Sequence, residues 1–311
     1  MLNGLNSVLT IFIMIGTGFI LAKKGFFTKG TSKLFSQLVI KVSLPLMMVV
    51  SIPMRFSKEK LIGSASGILV AFSSIIITYI LAIIIARIFR VEKSKRGVFY
   101  AMFAFSNSIF IGLPINVSLF GEESATYVFL FYLANTSLFW TLAVYNIRKT
   151  SSEVDKKFSK MESIKKIFSP PLISFIVGLT LVFLEIQLPS FIVSSFRYIG
   201  NLTTPLSMFF IGIVIYSIDF KEIKLDVPSY LIIAGRFIIA PFMMYLCLKL
   251  FELPNILNNV FIVEATMPII TQAALVSEFY GVNSKYVSFM VGFTTVLSIL
   301  IIPIYSFILI K

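Results

Sequence analysis

Ten stretches of this chain stay apolar for about the 20 residues that a helix needs to cross a bilayer core. They cover 4–22, 32–53, 61–86, 97–120, 124–147, 168–187, 196–218, 228–250, 255–279 and 283–310. No side chain is charged between Leu61 and Ala86, between Gly97 and Gly121, or between Tyr286 and Ile310. The second, eighth and ninth segments each hold a charged residue away from their ends: Lys41, Arg236 and Glu264. A bilayer core supplies no water to the peptide backbone, so only helices and closed barrels span it. Runs of this length read as helices. Only 13% of the residues are charged, about half the share of a soluble domain, which leaves little room for a soluble fold. The expectation is an all-α integral membrane protein of ten transmembrane helices.

The net charge is +13, and its distribution points to the bilayer as partner, with no nucleic acid. Lys23, Lys24, Lys29 and Lys33 follow the first segment. Arg87, Arg90, Lys93, Lys95 and Arg96 follow the third. Arg148, Lys149, Lys156, Lys157, Lys160, Lys165 and Lys166 follow the fifth. Cation-rich connections face the cytoplasm, which sets both termini outside a plasma membrane crossed many times. One connection breaks the pattern, because Arg55, Lys58 and Lys60 fall on the outer side. The first 22 residues carry no charge and read as a spanning helix, not a cleaved signal. A single cysteine, Cys247, and no histidine give no disulfide framework and no zinc set. No nucleotide motif and no nucleophile–base pair stands out, so no cofactor and no enzymatic activity is expected. Energy would come from an ion gradient or the substrate's own.

The basic loop at 148–167 divides a single membrane domain into two sets of five helices, 1–147 and 168–311. An odd number of spans per half makes the halves enter from opposite sides, the geometry of an inverted repeat. Landmarks recur across the two halves. Gly18 has a counterpart in Gly178, Ser43-Leu44-Pro45 in Thr203-Thr204-Pro205, and Pro114 in Pro268. In the fourth segment Gly112 and Pro114 are expected to break the helix at mid-membrane, with Asn107 close by. The ninth repeats the theme with Thr266, Pro268, Thr271 and Gln272. Breaks at corresponding positions of two halves point to a transporter site. Half-helix N-termini meeting there would favour an anion.

Charged residues inside spans need a partner or a purpose. Arg236 either pairs with Glu264 or draws in a substrate carboxylate. Glu264 is the deep acid and the natural carrier of a coupling ion. Lys41 either snorkels to the cytoplasmic face or stands as a fixed cation where other transporters hold sodium. The site expected from the sequence is therefore Asn107, Gly112, Pro114, Thr266, Pro268, Gln272 and Arg236 for substrate, with Glu264 and Lys41 for ion coupling.

At these residues the chain resembles the auxin efflux carrier family, which includes bacterial malate and malonate permease-like members. Asn107 to Pro114 is similar to that family's crossover in helix four. Ala265-Thr266-Met267-Pro268 followed by Tyr280-Gly281 is similar to its helix-nine crossover, and Thr294-Thr295 with Ser298 to its last helix. The resemblance implies two inverted five-helix repeats with broken crossover helices 4 and 9. That fold is like those of sodium/bile acid symporters and sodium/proton antiporters. It implies a scaffold of helices 1, 2, 6 and 7, and a moving domain of helices 3–5 and 8–10. It further implies a small organic anion, a carboxylate or dicarboxylate, carried by an elevator-like motion with a proton or sodium ion as possible companion; a homodimer is compatible with it. The short central loop and the residues Thr271 and Gln272 depart from plant members and point away from auxin itself. The rival readings are a cation/proton antiporter on the same fold, which would use paired deep acids, and a non-transporting membrane sensor or scaffold, which would carry a soluble output domain.

Overall fold

The computed structural model describes residues 2–151, 169–217 and 225–309. Most of the basic loop expected at 148–167 lies outside these residues. Among them all regular structure is helical. Helical stretches long and apolar enough to cross a membrane run over Gly30–Arg55, Lys58–Ile88, Ser124–Lys149, Ser190–Tyr216, Val227–Leu248 and Ser284–Leu309. Shorter apolar helices cover Leu9–Lys23, Ser108–Phe120 and Pro170–Phe183. In chain order the helices are α1 (Leu2–Lys23), α2 (Lys29–Leu38), α3 (Leu44–Arg55), α4 (Lys58–Gly63), α5 (Ala65–Ile88), α6 (Arg96–Ala104) and α7 (Leu113–Phe120). Then follow α8 (Ser124–Leu138), α9 (Val144–Lys149), α10 (Pro170–Phe183), α11 (Ser190–Gly200), α12 (Thr203–Tyr216) and α13 (Val227–Ala234). The last are α14 (Ala240–Leu248), α15 (Asn255–Thr266), α16 (Gln272–Phe279) and α17 (Ser284–Leu309).

Several of these helices are apolar on every face, as lipid requires. On α5, Val70, Ala71, Ser74, Thr78 and Ala82 are buried, while Ile76, Ile77, Ile80 and Ile84 face outward. The chain is a membrane protein, and such outward isoleucines meet acyl chains.

Proline shapes the helices without always breaking them. A proline cannot donate to the carbonyl four residues back, and its ring crowds that turn. Three wide turns absorb this strain: Val39–Ser43 before Pro45, Ser108–Gly112 before Pro114, and Gly235–Ile239 before Pro241. In each, the ladder continues by an i→i+5 bond, from Leu44 to Val39, Leu113 to Ser108 and Ala240 to Gly235. The carbonyl of Phe237, stranded by Pro241, accepts the Tyr305 hydroxyl at 2.6 Å. Pro114 therefore sits in the first turn of an intact α7, and the expected break at Gly112–Pro114 lies elsewhere.

Two helix pairs pack closely, α1 along α12 and α10 along α3. Gly18 makes the first possible, since a Cβ there would lie 2.8 Å from the Cα of Phe209. Gly178 does the same in the second, where a Cβ would lie 2.8 Å from Ile52 Cδ1. Between the pairs, the Thr203 hydroxyl donates to that of Ser43 at 3.1 Å. The remaining helices surround a core of fully buried rings that includes Phe99, Phe103, Phe105, Phe131, Phe139 and Phe261.

One rim gathers the ends of α3, α7 and α10. Arg55 pairs with Glu122, Lys60 with Glu123 at 3.3 Å, and Lys58 with Glu185 at 2.7 Å. The cations that break the loop pattern are thus each matched by an acid. Exposed pairs of this kind contribute only about 0–1 kcal/mol each, but they cancel the local positive charge. At the other rim Ser151 Oγ donates to the Tyr280 carbonyl at 2.7 Å.

Candidate functional site

Two helices stop inside the apolar layer and face each other. α6 ends at Ala104, and Phe105 is extended at φ −104°, ψ 134°. α15 ends at Thr266, and Met267 is extended at φ −62°, ψ 150°. Met267 precedes Pro268, and a residue before proline is pushed away from the helical region. The two openings join as an antiparallel bridge between Ser106 and Ile269. Asn107 N–H donates to the Pro268 carbonyl at 2.9 Å, and Ile270 N–H to the Phe105 carbonyl at 3.1 Å. Buried peptide groups left without partners would each cost about 2–7 kcal/mol, so the openings are stable only together.

Neighbouring helices complete the satisfaction. From α8, Asn135 grips the Ser106 peptide at both ends: its Nδ2 donates to the carbonyl at 2.9 Å, and its Oδ1 accepts the N–H at 3.2 Å. From α17, Thr294 Oγ1 accepts the Ile269 N–H at 3.3 Å. Asn107 Oδ1 caps the next turn by accepting the Phe110 N–H at 3.3 Å.

Arg236, in the wide turn between α13 and α14, lies 1% exposed beneath the crossing. Its Nη2 donates to the carbonyls of Ala265 at 2.7 Å and Met267 at 3.0 Å. Nε also reaches Met267, at 3.1 Å, and Nη1 reaches Phe103 at 3.4 Å. These carbonyls are the C-terminal ends of α15 and α6. Each such end carries about half a negative charge, so one guanidinium balances both. No carboxylate forms an ion pair with Arg236 among the described residues.

Glu264, in the last turn of α15, is 0% exposed. Its Oε1 accepts the Asn116 Nδ2–H at 2.8 Å, and the same amide donates to the Gly112 carbonyl at 2.9 Å. Ser108 faces the carboxyl as well. The carboxyl lies against the Cα of Gly112, where any Cβ would overlap Oε1. Three polar atoms here are buried and unpartnered: Asn107 Nδ2, Asn116 Oδ1 and Glu264 Oε2.

The structure thus brings Asn107, Gly112, Thr266, Pro268 and Glu264 to one crossing and separates other expected residues from it. Pro114 lies seven residues past the opening and is no counterpart of Pro268, which sits inside one. Gln272 begins α16, half-buried, and accepts from the Thr271 hydroxyl at 3.4 Å. Thr266 returns its hydroxyl to the Ile262 carbonyl at 2.7 Å. Arg236 gives its hydrogen bonds to backbone carbonyls and not to Glu264, and it lines a small void with Ser74, Thr78 and Ala265. Lys41 is exposed on the helix surface in the turn before Pro45. Sequence reading missed Asn116 and Asn135. Amides inside apolar runs were the available signal, because a spanning helix carries them only where they find partners.

A small void separates this region from α1 and α12, lined by Ile11, Ile15, Ile111, Ile115, Met208 and Ile211 among others. Beside it Phe110 packs on Phe210 with ring centroids 4.7 Å apart.

Residues 4–306 match the family described as membrane transport protein. An uncharacterized transporter of Methanocaldococcus jannaschii is 26% identical over 98% of each chain. An uncharacterized transporter of Methanothermobacter thermautotrophicus is 23% identical over 97% of each.

Proposed function

We propose, on the premise that the chain belongs to the membrane transport protein family, the family of the auxin efflux carriers, that this transporter is a secondary carrier of a small organic anion. The substrate class is a carboxylate or dicarboxylate, carried across the plasma membrane by an elevator-like motion. The observation that carries the reading is the Ser106–Ile269 crossing with its unpartnered donor, Asn107 Nδ2. A donor buried in lipid without an acceptor is a standing penalty, and a carboxylate oxygen relieves it. The helices beginning after the two openings direct their positive ends to the same region. Asn107 holds the carboxylate in this reading, and Gly112, Thr266, Pro268 and Gln272 shape its surroundings.

The architecture in this reading is ten transmembrane helices in two inverted repeats, 1–147 and 168–311, with both termini outside. The Ser43–Thr203 bond supports it, because residues 160 positions apart meet as a two-fold axis requires. So does the parallel role of Gly18 and Gly178 in the two packed pairs. The scaffold is α1–α3 with α10–α12. The apolar boundary at Phe110–Phe210 and the nearby void support a sliding surface. The ion pairs that join scaffold to moving helices, Arg55–Glu122 and Lys58–Glu185, lie exposed at the rim, where breaking them costs little.

The test is uptake of labelled malonate and malate into proteoliposomes. Wild type takes up at least one of them. Asn107→Ala removes the donor and lowers uptake roughly tenfold or more, as the loss of one bond to a charged group implies. Equal uptake by both proteins defeats the site assignment.

A further inference from the structure

The crossing has a second polar centre that anion binding at Asn107 does not use. Glu264 is wholly buried, yet only Oε1 has a hydrogen-bond partner, Asn116. Asn116 Oδ1 is buried and unpartnered too. Glu264 Oε2 and Asn116 Oδ1 thus lack a hydrogen-bond partner, with the Ser108 hydroxyl alone facing the carboxyl beside Asn116, which fits a place where a hydrogen is bound. Charge leads to the same point. The charged group that faces Glu264 among the described residues is Arg236. All its observed bonds go to the carbonyls of Phe103, Ala265 and Met267, so its charge is matched by the two helix C-termini it caps. An ionised Glu264 would have to draw instead on the positive end of the helix that begins after Asn107, against which Gly112 presses it. The transported anion needs that same positive end. Two negative charges in one low-dielectric site repel strongly, so the anion and a bare carboxylate exclude each other.

We propose, resting on the anion-carrier reading, that Glu264 held by Asn116 is a proton site coupled to anion binding at Asn107, which makes the protein a proton–anion symporter. A proton enters from the water on one side, binds Oε2 and neutralises the carboxyl. The anion then occupies the helix end, and both leave on the other side. Sodium does not fit here. The carbonyl oxygens freed at the crossing are filled by the Arg236 guanidinium, and the Gly112 Cα closes the space beside the carboxyl.

The experiment uses the full chain in liposomes with the membrane potential clamped at zero and labelled malonate as probe, protein-free vesicles being subtracted. An interior one pH unit more alkaline drives about tenfold accumulation in wild type, as one co-transported proton requires. Glu264→Gln, which mimics the neutral carboxyl, still exchanges malonate measurably at equal pH but does not accumulate it. Glu264→Asp retains the response. A sodium gradient at equal pH drives no accumulation. Malonate uptake by wild type that ignores the pH gradient, equal accumulation by Glu264→Gln, or acceleration by sodium each overturns the proposal while leaving the carrier reading intact. If wild type carries no malonate, the carrier reading fails for that anion, and infrared spectroscopy decides the proton site by itself. A protonated-carboxyl band at neutral pH that vanishes in Glu264→Gln supports it, and identical spectra of the two proteins overturn it.

Discussion

The two openings at the crossing reach the same geometry by different means. The one after α15 is written into the backbone: Pro268 forces Met267 out of the helix, and one acceptor, Thr294, then serves Ile269. The one after α6 has no proline at all. It is held open by side chains, with Asn135 taking both polar groups of the Ser106 peptide and Asn107 capping the turn beyond. A helix can therefore be interrupted in lipid either by denying it a donor or by offering its peptide groups better partners. The second kind depends more on its neighbours and should be the more fragile.

Arg236 is common to both openings, so its loss tests whether they are one unit. Arg236→Met removes four charge-assisted bonds to the ends of α6 and α15, at a cost of about 4 kcal/mol or more. The expected outcome is a large fall in the melting temperature of the detergent-purified protein, followed by size-exclusion after heating. Arg236→Lys keeps the charge without the fork that reaches three carbonyls and should fall between. Wild-type stability in Arg236→Met would mean that the helix ends need no such cap.

The two clamps come next. Asn135→Leu strands both the N–H and the C=O of Ser106, each worth about 1–3 kcal/mol when buried and unpaired. Thr294→Val, nearly isosteric, strands only the Ile269 N–H and should cost about half as much on the same scale. The ratio of the two melting shifts is the measurement. A Thr294→Val loss as large as that of Asn135→Leu would contradict the view that the second opening, set by Pro268, leans less on side-chain clamps than the first.

This asymmetry also explains what the sequence made legible. The spanning segments, the charge-free runs and the proline-driven opening at Pro268 follow from local rules, because lipid and a missing N–H act on the residue itself. Glu264 stands out as the deep acid for the same reason. The first opening was expected seven residues too late, at Pro114, because proline is a visible marker and a side-chain clamp from α8 is not. Asn135 lies 29 positions from Ser106 and Asn116 lies 148 from Glu264. Such pairings are settled only when the helices pack. Lys41 and Arg236 show the same limit. Both read as cations inside spans, and only the rotation of each helix puts one at the surface and the other under the crossing.

The smallest effect should come from the proline that looks most disruptive on paper. Pro268→Ala restores an N–H and relaxes the restriction on Met267, so α15 can extend toward α16 and compete with the bridge to Ser106. Malonate uptake should fall even where the protein remains folded. Pro114→Ala changes a residue in the first turn of α7, where the missing N–H is already bypassed by the wide turn at Ser108–Gly112. Its melting temperature should stay within the shift that about 1 kcal/mol produces, with uptake retained. Measured side by side, the two alanine variants separate a proline that opens a helix from one that a helix has accommodated. Loss of uptake in Pro114→Ala equal to that in Pro268→Ala would mean that the strain around Pro114 is part of the site after all.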